Sequence, residues 1–228
     1  FQVNLELCKT PFRADWDAIS MGYSAFDTLP PDFASFLVAH VAEKVATKIE
    51  NNIWAGDDDV EGEFDGLVAL ATADATVVDV VGTSITSANV IDELGKVVDA
   101  IPAALYGSAD LKIYVAQNVY KSYVRSLGGF ASNVGSNGVN GQGTNQSLGD
   151  VMFDGVPVFV ANGLANNYIV AAESSNLFFA TGLLSDENEV KVLDMQDLDG
   201  SQNVRVILRF TATVNYAYGS EVVLYTPA

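Results

Sequence analysis

Asp57, Asp59, Glu61 and Gly62 stand at the spacing of the first, third, fifth and sixth positions of a calcium-binding loop, within the acidic run GDDDVEGEFDG. Such a loop surrounds the ion with carboxylate and carbonyl oxygens and is closed by a bidentate glutamate at its twelfth position. Here that position is Val68, so the most demanding ligand is missing. A solvated acidic connector explains the run, with weak divalent-ion binding as the alternative. A second acidic group, Asp194, Asp197 and Asp199, offers paired carboxylates. These do acid–base work only where a cleft moves their pKa values apart. The DLDGS composition around them suits a turn between strands instead.

Other reactive residues are sparse. His40 is the single histidine, which excludes a multi-histidine metal centre. It sits on a helix flank and reads as structural or interfacial. No G-x-S-x-G elbow occurs; the nearest string, Gly22-Tyr23-Ser24-Ala25-Phe26, lacks the last glycine. Cys8 is the single cysteine and cannot form an internal disulfide, which fits folding in a reducing compartment. The stretch 128–150 is rich in Gly, Asn and Ser but has neither GxxxxGK[ST] nor GxGxxG, so it reads as an adaptable surface loop rather than a nucleotide cradle. No catalytic, cofactor-binding or metal residue is assigned. Arg205 and Arg209 alternate outward on a strand and, with His40, are the candidate inter-subunit contacts. Arginine forks carboxylates well, whereas an exposed pair can equally be of little energetic consequence.

Composition narrows the class. The 228 residues are 49 % hydrophobic, enough to bury a sizeable core. A net charge of −18 repels nucleic-acid phosphate and argues against a DNA-binding protein. No apolar run approaches the ~18 residues of a membrane span. The chain starts at Phe1 without a signal-peptide pattern and reads as the remnant, or the ordered part, of a longer precursor.

These groups must be carried by elements. FQVNLEL, residues 1–7, alternates as a strand. From Pro30 to Gly56 a long helix is expected, with Phe33, Leu37, Val41, Val45, Ile49 and Ile53 on one stripe, Phe36 widening it and Gly56 stopping it. A strand is expected over 75–83, and a helix over 88–101 with Val90, Ile91, Leu94, Val97, Val98 and Ile101 inward. LKIYVA reads as a buried strand, followed by a helix capped by Asn118 and closed by Gly128-Gly129. Strand–helix alternation implies a small α/β domain with a mixed sheet. GVPVFVANG, NNYIVAAE and EVKVLDM read as strands and SNLFFATGLL as a short helix or turn. Residues 203–218 read as one long strand, with Val204, Val206, Leu208, Phe210, Val214, Tyr216 and Tyr218 facing one way. EVVLYT closes the chain.

The order of these pieces resembles the major capsid proteins of tailed double-stranded DNA bacteriophages. The resemblance rests on FQVNLEL, the helix PDFASFLVAHVAEKVATKIENNIWAG, FDGL, VIDELGKVVDAIP, LKIYVA and DGVPVFVANG. It rests above all on SNLFFATGLLSDENEVKVLDM and NVRVILRFTATVNYAYGSEVVLYTPA. It implies an α+β, Hong Kong 97-like capsid fold. In it, a peripheral domain (1–63 and 177–228) carries a spine helix and long antiparallel strands, and 64–176 form an α/β axial domain. It also implies a non-enzymatic virion subunit, assembled in the host cytoplasm into pentamers and hexamers of an icosahedral shell. The shell would enclose double-stranded DNA without gripping it, with scaffold, portal and decoration proteins as candidate partners and no membrane. The family's N-terminal arm and most of its extended loop do not precede Phe1, being cleaved, disordered or not included. No lysine singles itself out for a cross-link. Two other readings stay open: an encapsulin-like nanocompartment shell, and an acidic surface or adhesin domain binding a glycan or divalent ions.

Overall fold

The computed structural model describes residues 2–8, 31–127, 151–182 and 190–228. The chain divides into two compact units, one from Phe1–Ile49 with Thr181–Ala212, the other from Glu50–Ala180 with Thr213–Ala228. Helices and strands are mixed in an α+β arrangement.

In the first unit β1 (Gln2–Cys8), β8 (Val190–Asp194) and β9 (Asn203–Arg209) form a three-stranded antiparallel sheet with β9 central. Register places Leu5 opposite Val206 and Leu7 opposite Val204, with Val192 on the other side of Val206. Period-two alternation therefore gathers the valines of β9 on one face, where Val204 and Val206 are fully buried. Glu6, Arg205 and Arg209 share the opposite face.

Helix α1 (Pro31–Ala55) matches the expected long helix, and Pro31 suits its first turn because its missing N–H has no intrahelical acceptor to lose. Val41 is buried, whereas Val45, Ile49 and Ile53 are half-buried. A four-residue spacing overshoots a 3.6-residue turn by about 40° each time, so the stripe drifts. By the last turns Asn52 and Trp54 have become the buried positions. The side chains of Phe33, Phe36 and Leu37 lie outside the described residues. Gly56 ends the helix, its N–H donating to the Asn52 carbonyl at 3.2 Å. A Cβ there would stand 2.2 Å from the Phe64 carbonyl oxygen.

The second unit holds a six-stranded mixed sheet of order β2 (Val78–Gly82), β11 (Val223–Pro227), β6 (Ile169–Glu173), β3 (Leu111–Val115), β5 (Val156–Val160) and β4 (Met152–Phe153). β11 runs parallel to β2 and β3 parallel to β5; the other pairs are antiparallel. Helix α3 (Val90–Ala100) packs on β2, β11 and β6. Helix α4 (Gln117–Ser126) lies beside it, tied to β4 by the Tyr123 hydroxyl donating to the Met152 carbonyl at 2.8 Å. Leu94, Val97, Ile113, Val115, Val119 and Ile169 are fully buried between these layers. Helix α2 (Leu67–Ala73) packs against β11.

Several expectations are corrected. The long strand over 203–218 is two strands, β9 and β10 (Ala212–Tyr216), because the chain leaves the β1–β9–β8 sheet at Phe210-Thr211 and then pairs with β7 (Leu177–Thr181). Its inward positions keep their parity across the break, Val214 being buried, but Tyr218 is 65 % exposed. SNLFF is a short 3₁₀ turn followed by β7, not a helix. The strand expected from Ala75 starts at Val78, since Asp74 first closes a turn by accepting from the Thr76 N–H at 2.9 Å. DLDGS lies in a one-turn helix α5 (Gln196–Asp199), ended by Gly200 in the left-handed region. Asn118 does not cap α4, whose preceding residue is Ala116. Its side chain exchanges hydrogen bonds with Asn167 at 2.8 and 3.1 Å. The closing Gly128-Gly129 and the loop 128–150 lie outside the described residues. Ile91, expected inward, is 48 % exposed.

Candidate functional site

The residues singled out by sequence are spread over both units. Arg205 on β9 donates to Glu6 Oε2 on β1 at 2.8 Å, across directly paired positions. Asn203 donates to the other Glu6 oxygen at 2.7 Å, so the carboxylate is shared by two neighbours on one strand. Arg209 lies exposed at the far end of β9, opposite Gln2. His40 is half-buried on α1. Cys8 is exposed.

The acidic run does not make the loop its spacing suggested. Carboxylate oxygens of Asp57, Asp58 and Asp65 come within 4.8 Å of one another, a different trio from Asp57, Asp59 and Glu61. The Gly66 N–H donates to the Gly56 carbonyl at 3.0 Å and pinches the two ends of the run together. Asp57 and Asp65 also accept from backbone N–H groups of Asp59 and Asp58. Val68 is in the first turn of α2 and packs against the core. Asp194 accepts from the Gln196 N–H at 3.1 Å, a turn contact. The side chains of Asp197 and Asp199 lie outside the described residues.

Two polar clusters went unread in the sequence. In the first, Glu93 on α3 is 5 % exposed. It accepts from Lys96 Nζ at 2.9 Å through both oxygens, from the Thr83 hydroxyl at 3.1 Å and from the Tyr225 hydroxyl at 2.8 Å. Tyr225 is fully buried and its hydroxyl lies equally close to the Thr83 carbonyl. Burial pushes the Glu93 carboxyl up, yet bonds from Lys96, Tyr225 and Thr83 outweigh it and hold the group below the usual carboxylate range. Burial, then Glu93 itself, pushes the Tyr225 phenol up, so it remains a donor. The cluster pins α3 to β11. A glutamate within the first turn of an amphipathic helix looks like a favourable helix-dipole charge, which is why its burial was not legible.

In the second cluster Asp110, Lys112, Ser174 and Ser175 join the start of β3 to the end of β6. The Ser174 hydroxyl donates to Asp110, the Ser175 N–H donates to Asp110 at 2.8 Å, and Lys112 Nζ donates to Ser174 Oγ at 3.0 Å. The serine oxygen accepts from Lys112 while its hydroxyl donates to Asp110, a carboxylate whose depressed pKa makes it too weak a base to take the proton. The arrangement is a clamp, not an activated nucleophile. The Ser174 hydroxyl, then Ser175, holds the Asp110 carboxyl down at about 2. A carboxyl depressed on folding adds stability above its unfolded value and loses it as pH falls through the folded one. Asp110 therefore contributes fully above pH 3.8 and loses its contribution toward pH 2. Asp110→Asn should flatten the acid limb of a stability-versus-pH curve in that window; an unchanged limb counts against the clamp.

Among the described residues no helix is long and apolar enough to cross a membrane. No family model matches the sequence, and no curated protein matches it. Solved structures do match. The capsid of an empty GTA particle covers 100 % of this chain and 72 % of its own, with a TM-score of 0.62 at 15 % identity. The satellite phage P4 procapsid matches over 99 % of this chain and 74 % of its own, with a TM-score of 0.61 at 10 % identity. The chain has the fold of these capsid structures. The same capsid fold extends to the holo-SrpI encapsulin complex of Synechococcus elongatus, with a TM-score of 0.57 at 13 % identity over 99 % of this chain and 72 % of that one. At such identities the capsid fold is what is shared; side-chain chemistry is this chain's own.

Proposed function

We propose that the protein is the major capsid protein of a tailed double-stranded DNA phage, with a Hong Kong 97-type fold and no catalytic activity. The observation that carries this reading is the match over the whole chain to capsid subunits, at a TM-score of 0.62. The organisation supports it. Helix α1 spans 25 residues, as a spine helix would, and the first compact unit falls within the peripheral domain read at 1–63 and 177–228. Most of the second unit falls within the axial domain read at 64–176. A wall with a net charge of −18 holds packaged DNA without binding it tightly. Pentamers and hexamers of this chain would tile the shell, with scaffold, portal and decoration proteins as further partners in the virion. Arg209, exposed on its strand, is the best placed of the proposed inter-subunit contacts; Arg205 already serves Glu6, and His40 stands on the helix flank.

The match to an encapsulin complex favours a second reading, a nanocompartment shell enclosing protein cargo. Negative-stain electron microscopy of the purified protein, with the 260/280 nm absorbance ratio after nuclease treatment, separates them. Closed shells protecting nucleic acid are expected. Closed shells with cargo and no nucleic acid would assign the nanocompartment, and a monomer at high concentration would overturn both.

A further inference from the structure

The second unit is charged differently at its two flanks. Over the β2 edge of the six-stranded sheet, α3 exposes Asp92 and Asp99, seven residues and thus about 10 Å apart on one side of the helix. The cation of α3, Lys96, is held by Glu93 at 2.9 Å, leaving the flank acidic. Ile91 is 48 % exposed beside Asp92. Toward the β4 edge, α4 contains no acidic residue and exposes Lys121 and Arg125, one turn apart. Met152 on β4 is 46 % exposed there, and the nearby β4–β5 turn adds Asp154. In a chain with 11 cations against 29 acids, a helix bearing two cations and no acid stands out.

We propose that these flanks are the two halves of one interface between copies of this chain. Lys121 and Arg125 of one copy meet Asp92 and Asp99 of the next, with Met152 and Ile91 as the apolar centre. The occupant of each flank is a second copy because each flank supplies the charge and the exposed apolar side chain that the other lacks. Two different patches meeting in this way give a heterologous contact, which repeats head to tail and closes a ring when the rotation allows. The inference rests on the shell reading and assigns the ring contact within it to α3 and α4.

Charge exchange tests it. Variants K121E/R125E and D92K/D99K each set like charges against each other and should raise the concentration at which rings or shells form by tenfold or more, on the order of 1.4 kcal/mol per contact. The quadruple variant should assemble at close to the wild-type concentration. Mixing the two double variants should also restore even-membered rings such as hexamers, in which the two alternate and each supplies what the other needs. Light scattering and electron microscopy read assembly; melting temperature checks folding. Double variants that assemble like wild type, or a mixture of folded double variants that fails to recover hexamers, overturn the interface while wild-type shells keep the shell reading. A wild-type protein that stays monomeric overturns the shell reading and the interface with it.

Discussion

Gly163→Ala should destabilise the protein by about 3 kcal/mol, the upper range for overpacking a close contact. A Cβ at Gly163 would stand 2.2 Å from the Glu50 carbonyl oxygen, 2.8 Å from its carbon and 2.9 Å from the Asn51 Cα. All three are backbone atoms of a helix, so no rotamer change relieves the clash. The turn after β5 must lift from α1, and the neighbours of Trp54 loosen with it, including its ring contact with Tyr114 at 5.1 Å between centroids. At about 2–4 °C per kcal/mol for a chain of this size, the melting temperature should fall by roughly 10 °C. The same methyl at Gly95, where nothing lies within 4 Å, serves as the comparator and should be neutral or better, since it fills an open helix position. Equal melting of the two variants would show that the close approach is not as tight as described.

The second large effect is expected at Gly82, where the obstacle is a side chain. A Cβ there would lie 2.1 Å from the Tyr225 hydroxyl oxygen and 2.3 Å from two ring carbons. Tyr225 is buried completely and held through its hydroxyl by Glu93 and the Thr83 carbonyl. Moving the ring both overpacks the core and strips a donor from a buried carboxylate, a hydrogen bond to a charged group worth about 1.5–3 kcal/mol. Gly82→Ala should therefore cost about 3–5 kcal/mol, the two penalties taken together. Because the obstacle is one side chain, Tyr225→Leu should absorb part of the damage. Urea unfolding of both single variants and the double reads this as a favourable coupling energy. Strictly additive losses would mean that the two residues do not oppose each other.

Much of the scaffold was legible because it is periodic. Helix α1 announced itself by its apolar repeat and by Gly56, and α3 and α4 by apolar faces with a moment that strands cannot mimic. β9 and β10 alternate without interruption, so nothing in the residue pattern marks the change of sheet at Phe210-Thr211; pairing partners far along the chain decide it. α2 was missed because LVALATA is seven residues of small and apolar side chains, equally suited to a buried strand. SNLFF begins like a capped turn, and the β-forming Phe178-Phe179 pair lost to that reading. Candidate site residues were harder. The acidic run drew attention by its density, yet the pinch at Gly56 and Gly66 decides which carboxylates meet. Glu93 and Asp110 owe their surroundings to partners more than 60 residues away in Tyr225 and Ser174. Ile91 fits the apolar side of α3 by angle alone, yet it is left 48 % exposed.

β11 is the last strand of the chain, but it lies inside the sheet, between β2 and β6. β1, the first strand, waits for β9, a separation of nearly the whole chain. During synthesis the three-stranded sheet cannot close before β9 is made, nor the six-stranded sheet before β11. A chain cut short before Val223 offers two open strand edges, which invite chaperones and proteases more readily than orderly partners. A copy that lacks β11 therefore exposes the edges of β2 and β6 where a finished sheet would close them, and such a copy is one for quality control to remove.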